Sequence, residues 1–162
     1  MNLKNIEQLK IPKSTQVLLL DSKVLEDPVA VIPALLKKIV AQAPDLRTLN
    51  LADIKFGVEG ARVLAQGLDQ LKHLRELLLG NTAIGDEGVA ILAKEFHKAT
   101  CLEVLDLSQN AIGDTGTKAL AAEIQKLLVL RKLVIKNNNI SQEALQQLKA
   151  VDNGNPFLEI EG

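Results

Sequence analysis

Tryptophan and tyrosine are absent from this 162-residue chain, and phenylalanine occurs only as Phe56, Phe96 and Phe157. Base stacking on aromatic rings, and aromatic cages for methylated amines, are thereby nearly excluded. Cys101 is the single cysteine, so no intramolecular disulfide can form and a reducing compartment, the cytoplasm, fits best. Imidazole comes only from His73 and His97. His97 and Cys101 lack two further ligands to complete a zinc site, so no metal is expected; His97 reads as a polar helix end and Cys101 as a small apolar residue before a strand. Neither sign of charge dominates: 19 Lys plus Arg stand against 20 Asp plus Glu, which argues against a nucleic-acid partner. Long apolar runs are also lacking. The most apolar stretch, 29–41, is interrupted by Pro33 and by Lys37 and Lys38, and the first residues carry no apolar signal segment. Neither a membrane span nor a secretory leader is expected.

What is plentiful is leucine, at 30 positions. A chain of this length makes one domain that buries roughly two thirds of its unfolded surface, and its core must be built from aliphatic ribs. The leucines are ordered. Leu46, Leu49 and Leu51 recur as Leu74, Leu77 and Leu79, then Leu102, Leu105 and Leu107, then Leu130, Leu133 and Ile135, at an offset of 28 residues. Other columns keep the same register: Phe56, Ile84, Ile112, Ile140; Gly57, Gly85, Gly113, Ser141; Gly60, Gly88, Gly116, Ala144; Leu64, Leu92, Leu120, Leu148. Within each copy an alternating stretch such as Leu105-Asp106-Leu107 gives way to apolar residues at helical spacing, Val89, Leu92, Ala93 and Phe96. Each copy is therefore one strand followed by one helix. Asp86 and Asp114 stand where their helices should begin, as caps opposite the positive end of the dipole. Gly85 and Gly113 suit the tight turn before them.

These motifs resemble the leucine-rich repeat family, and the 28-residue period with its Ile-Gly-Asp-x-Gly turn is similar to the ribonuclease inhibitor-like subclass. The resemblance implies an α/β fold, a right-handed solenoid or horseshoe segment with parallel strands on the concave face and helices on the convex face. Residues 1–162 form a single domain on this reading: an N-terminal cap over 1–16, an atypical repeat over 17–45, repeats over 46–73, 74–101, 102–129 and 130–157, and a cap strand over 157–162. In the atypical repeat the strand is expected at Val17 to Leu20, Pro33 in the first helical turn, Pro44 past the helix end and a longer loop at 21–28. The segment with Leu3, Ile6, Leu9 and Ile11 is expected to cover the first repeat, and the 152–156 turn to lead into the last strand, whose Glu159 and Glu161 discourage edge pairing. Two caps together argue for a complete small solenoid. The family's buried asparagine column, which bonds backbone groups of neighbouring turns, falls here on Ile54, Thr82, Asn110 and Asn138. Only Asn110 and Asn138 can form that ladder fully.

The residues between the leucines point into the concavity. The candidate partner-binding set is Arg47, Asn50, Asp53, Arg75, Leu78, Asn81, Glu103, Val104, Asp106, Arg131, Lys132, Val134 and Lys136. Its mixed sign suits a protein surface better than a phosphate backbone. Leu78, Val104 and Val134 are solvent-exposed unless covered, and with Arg75 and Arg131 around them they have the composition of an interface centre and rim. The loops and helices are the competing contact surfaces. No catalytic residue, cofactor, metal or small-molecule substrate is expected: Gly85-Asp86-Glu87-Gly88 lacks the Lys-Ser/Thr of a phosphate loop and the length of a calcium loop. Glu103, Asp106 and Asp114 carry nothing that marks an acid/base pair. The reading is a non-enzymatic module that binds a protein partner, without nucleic acid or membrane. Alternatives are regulation of a GTPase or an actin-type filament, since Ran GTPase-activating proteins and tropomodulins carry similar repeats; a bacterial effector delivered into a host cytosol; or a scaffold with no natural ligand.

Overall fold

The computed structural model describes residues 8, 10–20, 27–151 and 156–162. Three-residue strands alternate with helices: β1 (Val17–Leu19), α1 (Pro28–Gln42), β2 (Thr48–Asn50), α2 (Gly57–Gly67), β3 (Glu76–Leu78), α3 (Gly85–Glu95), β4 (Val104–Asp106), α4 (Asp114–Ile124), β5 (Lys132–Val134), α5 (Gln142–Lys149) and β6 (Glu159–Glu161). The six strands form one parallel sheet in chain order. Register follows the period, so Leu49, Leu77, Leu105 and Leu133 are direct neighbours, extended by Leu18 on β1 and Ile160 on β6. The four central leucines are fully buried in one cluster with the helix residues Leu64, Leu92 and Leu120. Phe96, the largest fully buried side chain, belongs to a 3-10 turn that follows α3. Burial of Leu77 and Leu105 side by side is what makes residues 28 apart spatial neighbours; each contributes about 2–3 kcal/mol by leaving water.

The strands end early because the chain turns through left-handed residues. Asp53, Asn81, Gln109 and Asn137 have φ of 65, 59, 57 and 57°, a region that Asp and Asn tolerate better than other side chains. Ala83 and Ala111 also adopt it, at 62 and 55°, without any such help. The buried amides hold them there. Asn110 Oδ1 accepts from the backbone N–H groups of Thr82 (2.9 Å) and Ile84 (3.4 Å), on either side of Ala83. Asn138 Oδ1 accepts from those of Asn110 (2.9 Å) and Ile112 (3.0 Å), on either side of Ala111. Each Nδ2 donates to carbonyls, Asn110 to Leu79 and Ser108, Asn138 to Leu107 and Ile135. One repeat earlier the amide is replaced by Thr82, whose hydroxyl donates to its own Leu79 carbonyl. The corresponding residue, Lys55, is absent from the left-handed set, and Phe56 N–H instead donates to the Ile54 carbonyl at 2.8 Å.

Several local expectations need correction. Asp86 and Asp114 cap the following repeat and leave their own helices uncapped by side chains. Asp86 Oδ1 accepts from Gly113 N (2.6 Å) and Gly116 N (3.0 Å), and Asp114 Oδ1 from Ser141 N (2.8 Å). The reason is packing: adjacent helices lie side by side, so a first-turn carboxylate reaches the neighbour's free N–H groups. Gly85 uses its freedom at φ 59°, whereas Gly113 is at φ −104°, where any residue fits, so the expected need for glycine holds only at Gly85. Pro33 lies inside α1, past its first turn. Asp27 caps that helix by accepting from Ala30 N, and Pro28 takes the first helical position. The expected N-terminal cover lies largely outside the described residues; within them, Ile11 is buried and its N–H donates to Gln42 Oε1 at 2.7 Å. The longer loop before Asp27 and most of the 152–156 turn lie outside the described residues.

Candidate functional site

The face of the sheet opposite the core carries two side-chain columns. One runs Val17, Thr48, Glu76, Val104, Lys132, Glu159, and the other Leu19, Asn50, Leu78, Asp106, Val134, Glu161. Parallel pairing in the 28-residue register stacks these residues about 4.8 Å apart. Leu78, Val104 and Val134 fall on successive strands in alternating columns, so they form a zigzag. They are half-buried, not exposed, because each sits between two longer or equal neighbours: Leu78 between Asn50 and Asp106, Val104 between Glu76 and Lys132, Val134 between Asp106 and Glu161. The ladder neighbours are thus part of what covers them. Val17 and Leu19, at the β1 edge, are the exposed aliphatics of this face.

The polar residues around the zigzag are mostly engaged with one another. Thr48 Oγ1 donates to Glu76 Oε2 at 2.9 Å, and Arg75 pairs with Glu103. Asn50 Oδ1 and Asp106 Oδ1 accept from the N–H two residues on, Ala52 and Ser108, closing the turns after their strands. Glu161 receives Lys132 at 2.6 Å and Lys136 at 2.7 Å. Those two ammonium groups, Lys132 foremost, hold its carboxyl down from 4.5 to about 2, and Glu161 in turn raises Lys132. Asp114 is lowered chiefly by the backbone N–H of Ser141.

The thirteen candidate residues thus separate into three strips. Asn50, Leu78, Val104, Asp106, Lys132 and Val134 lie on the strands. Arg47, Arg75, Glu103 and Arg131 each precede a strand and line the rim where the strands begin. Asp53, Asn81 and Lys136 follow the strands on the opposite rim, where Asn81 Nδ2 donates to Asp53 Oδ1 at 2.7 Å and Lys55 Nζ also reaches Asn81. Reading the sequence missed Val17, Leu19, Glu159 and Glu161 as members of the face, although the alternation Glu159-Ile160-Glu161 carried the signal. Asn110 and Asn138 are in the turns beneath the sheet and present nothing to this face. Cys101 is exposed on the first rim, not tucked under it, and His97 is exposed with Nδ1 2.9 Å from the Lys94 carbonyl. Among the described residues no group of His, Cys, Asp and Glu is arranged to hold a metal ion, and no helix is long and apolar enough to cross a membrane.

Strand-and-helix coils stacked in chain order around an aliphatic core define a solenoid repeat protein. Residues 70–93 and 98–121 within it match the family model described as Leucine Rich repeat. The fold is similar to that of leiomodin-1 actin-binding site 2, with a TM-score of 0.69 and 17% identity over 78% of this chain and 75% of that one. It is also similar to a Bacteroides fragilis protein, with a TM-score of 0.53 and 24% identity over 80% of this chain and 37% of that one. At such identities the likeness is one of fold. No curated protein matches the sequence.

Proposed function

We propose that this leucine-rich repeat protein is a non-enzymatic protein-interaction module that grips its partner with the concave face of the sheet. One observation carries the reading. Leu78, Val104 and Val134 make a half-buried apolar zigzag across three successive strands, bordered by charges of both signs and backed by a fully buried core. A preorganised face of this kind gives up little conformational entropy on binding, and an apolar centre with a charged border is the anatomy of protein–protein contacts. The mixed sign favours a protein over nucleic acid. The 28-residue period and a helix in every turn support the ribonuclease inhibitor-like subclass. An exposed thiol without a disulfide partner suits a reducing cytosol.

The test is a pull-down from lysate of the source cell, or of its host, with the double variant Leu78→Asp, Val104→Asp beside the parent. The variant loses the captured partner while its circular dichroism spectrum stays that of the parent. Undiminished capture would move the site to another surface. The fold likeness to leiomodin-1 actin-binding site 2 gives a second reading, action on an actin filament. Actin elongation with and without the protein decides it.

A further inference from the structure

The 28-residue register also orders the rim where the strands begin, in a way the sheet face does not. Asp45, His73, Cys101, Val129 and Phe157 are spaced 28 apart, and Arg47, Arg75, Glu103, Arg131 and Glu159 form a second row beside them. Between the rows run two clefts. The first, of about 350 Å³, is lined by Gln16, Asp45, Arg47, His73, Arg75 and Cys101. The second, of about 300 Å³, is lined by Glu103, Leu128, Val129, Arg131 and Phe157. They abut at the loop leading into β4, since Cys101 lines one and Glu103 the other.

The two ends differ in chemistry. In the first cleft Asp45 faces His73 at 4.0 Å and Arg75 is paired with Glu103, which leaves Arg47 with no carboxylate among the described residues. The second is an apolar ledge: Leu128, Val129 and Phe157 are 70, 43 and 74% exposed. Leu128 and Val129 stand where earlier repeats have the polar residues Lys72, His73 and Thr100. Isolated exposed apolar side chains are ordinary, but three together over a concavity, beside Arg131, which has no ion-pair partner among the described residues, are not.

We infer that this rim is a docking groove for an extended acidic–apolar segment of a partner protein. The carboxylate settles between Arg47 and Arg75, and a large aliphatic or aromatic side chain covers Leu128, Val129 and Phe157. The clefts are centred two to three strands apart, about 12 Å at 4.8 Å per strand, which an extended chain spans in three or four residues. Charge complementarity selects the acid at one end, and burial of the ledge selects the apolar residue at the other. The inference rests on the reading of the chain as a protein-binding module but uses a surface distinct from the zigzag.

Fluorescein-labelled octapeptides test it on the full chain by anisotropy: Asp-Glu at one end and Leu or Phe four residues away, in both orders, with Ser and Gly between. Control peptides carry Lys in place of the acids, or Ser in place of the apolar residue. One order binds about tenfold or more tighter than either control, and Arg47→Glu and Val129→Glu each weaken it about tenfold at unchanged melting temperature. The Leu78→Asp, Val104→Asp variant binds the peptide like the parent. Peptides that bind equally whatever their ends, or not at all, overturn the rim groove without touching the concave-face reading. Loss of binding in the zigzag variant instead of the rim variants overturns it in favour of the sheet. Concentration-dependent self-association abolished by Val129→Glu, without peptide binding, makes the occupant a second copy and likewise overturns it.

Discussion

Replacing Asn110 by Leu removes the acceptor that spans Ala83. The structure fixes what is lost. Thr82 N–H, fully buried, loses its partner at 2.9 Å, and Ile84 N–H loses a longer one at 3.4 Å. The carbonyls that Nδ2 served are less affected: Leu79 O still receives the Thr82 hydroxyl, and Ser108 O still receives Asn81 N–H. One well-made buried donor stranded costs about 1–3 kcal/mol, and the weaker one adds up to about 1. Against this, Ala83 is freed from its left-handed conformation, which returns about 1–2 kcal/mol. At the middle of these ranges the net loss is about 1 kcal/mol and at most about 3, or a fall in melting temperature of about 3 °C and at most about 10 °C for a chain of this size. A double-mutant cycle isolates the clamp. In the parent, Ala83→Gly stabilises by about 1 kcal/mol because glycine accepts φ near 60° without strain. In the Asn110→Leu background the same change gives nothing, since Ala83 is already relaxed. A melt unmoved by Asn110→Leu, or equal gains from Ala83→Gly in both backgrounds, refutes the idea that the amide enforces the left-handed turn.

Gly116→Ala reverses the usual helix rule: alanine gains about 1 kcal/mol inside a helix, yet a Cβ here would lie 2.5 Å from Asp86 Oδ1 and 2.8 Å from Val89 Cγ1. Urea unfolding shows a net loss of about 1–3 kcal/mol, and equal or greater stability contradicts the packing account. Asp86→Ala costs about 1 kcal/mol, and hydrogen exchange shows lost protection at Gly113 and Gly116 in the next repeat; loss confined to the start of α3 would mean that Asp86 caps its own helix. Glu161 titrates at about 2 in the folded chain against 4.5 ordinarily. Its folded value is depressed, so its stabilisation is present above 4.5 and disappears as pH falls toward 2. A carboxyl-carbon NMR titration with its midpoint near 4.5 contradicts the two-lysine clasp, as does a Glu161→Gln protein whose β6 amides keep the parent's acid dependence.

The core was legible in the sequence because burial repeats with the chain: every leucine at the period's inward positions is buried, and so are Phe56, Ile84 and Ile112. What could not be read were the bonds between repeats. Asp86 looks like an ordinary cap because the residues after it carry the local signal of a helix start, and only the side-by-side packing of α3 and α4 shows its N–H partners to be Gly113 and Gly116. Pro33 was misplaced for a related reason: the repeat alignment set the helix start, whereas Asp27 and Pro28 set it locally. The face residues were legible one by one as outward, but their half-burial depends on who stands at the same register in the next strand. Leu78 between Asn50 and Asp106 is a fact about three repeats. The rim column was present in the sequence as Asp45, His73, Cys101, Val129 and Phe157 in register, apolar at its last two members. Its meaning depends on the stacking of the residues before each strand, which carry no alternation of their own.

The uneven asparagine column then acquires a physical meaning. Where an amide is present in the next repeat, the residue it straddles is left-handed, at Ala83 and Ala111; where Thr82 replaces it, Lys55 is not. Conformation in one repeat is therefore set by a side chain 27 residues later, and each polar clamp ties a turn to its C-terminal neighbour. Asp86 and Asp114 tie helix starts across the same seams. The seam between β2 and β3 has the Thr48–Glu76 bond on the sheet face but no buried amide under the turn. In a stack whose stability is a sum of repeat and interface terms, the β2–β3 seam thus lacks the buried side-chain clamp that the β3–β4 and β4–β5 seams add to apolar burial and the backbone ladder. The zigzag spans β3 to β5, across the two seams that carry the full amide clamp. The apolar centre of the proposed binding face is therefore laid across the seams that carry the buried clamp, which holds its residues in register with one another.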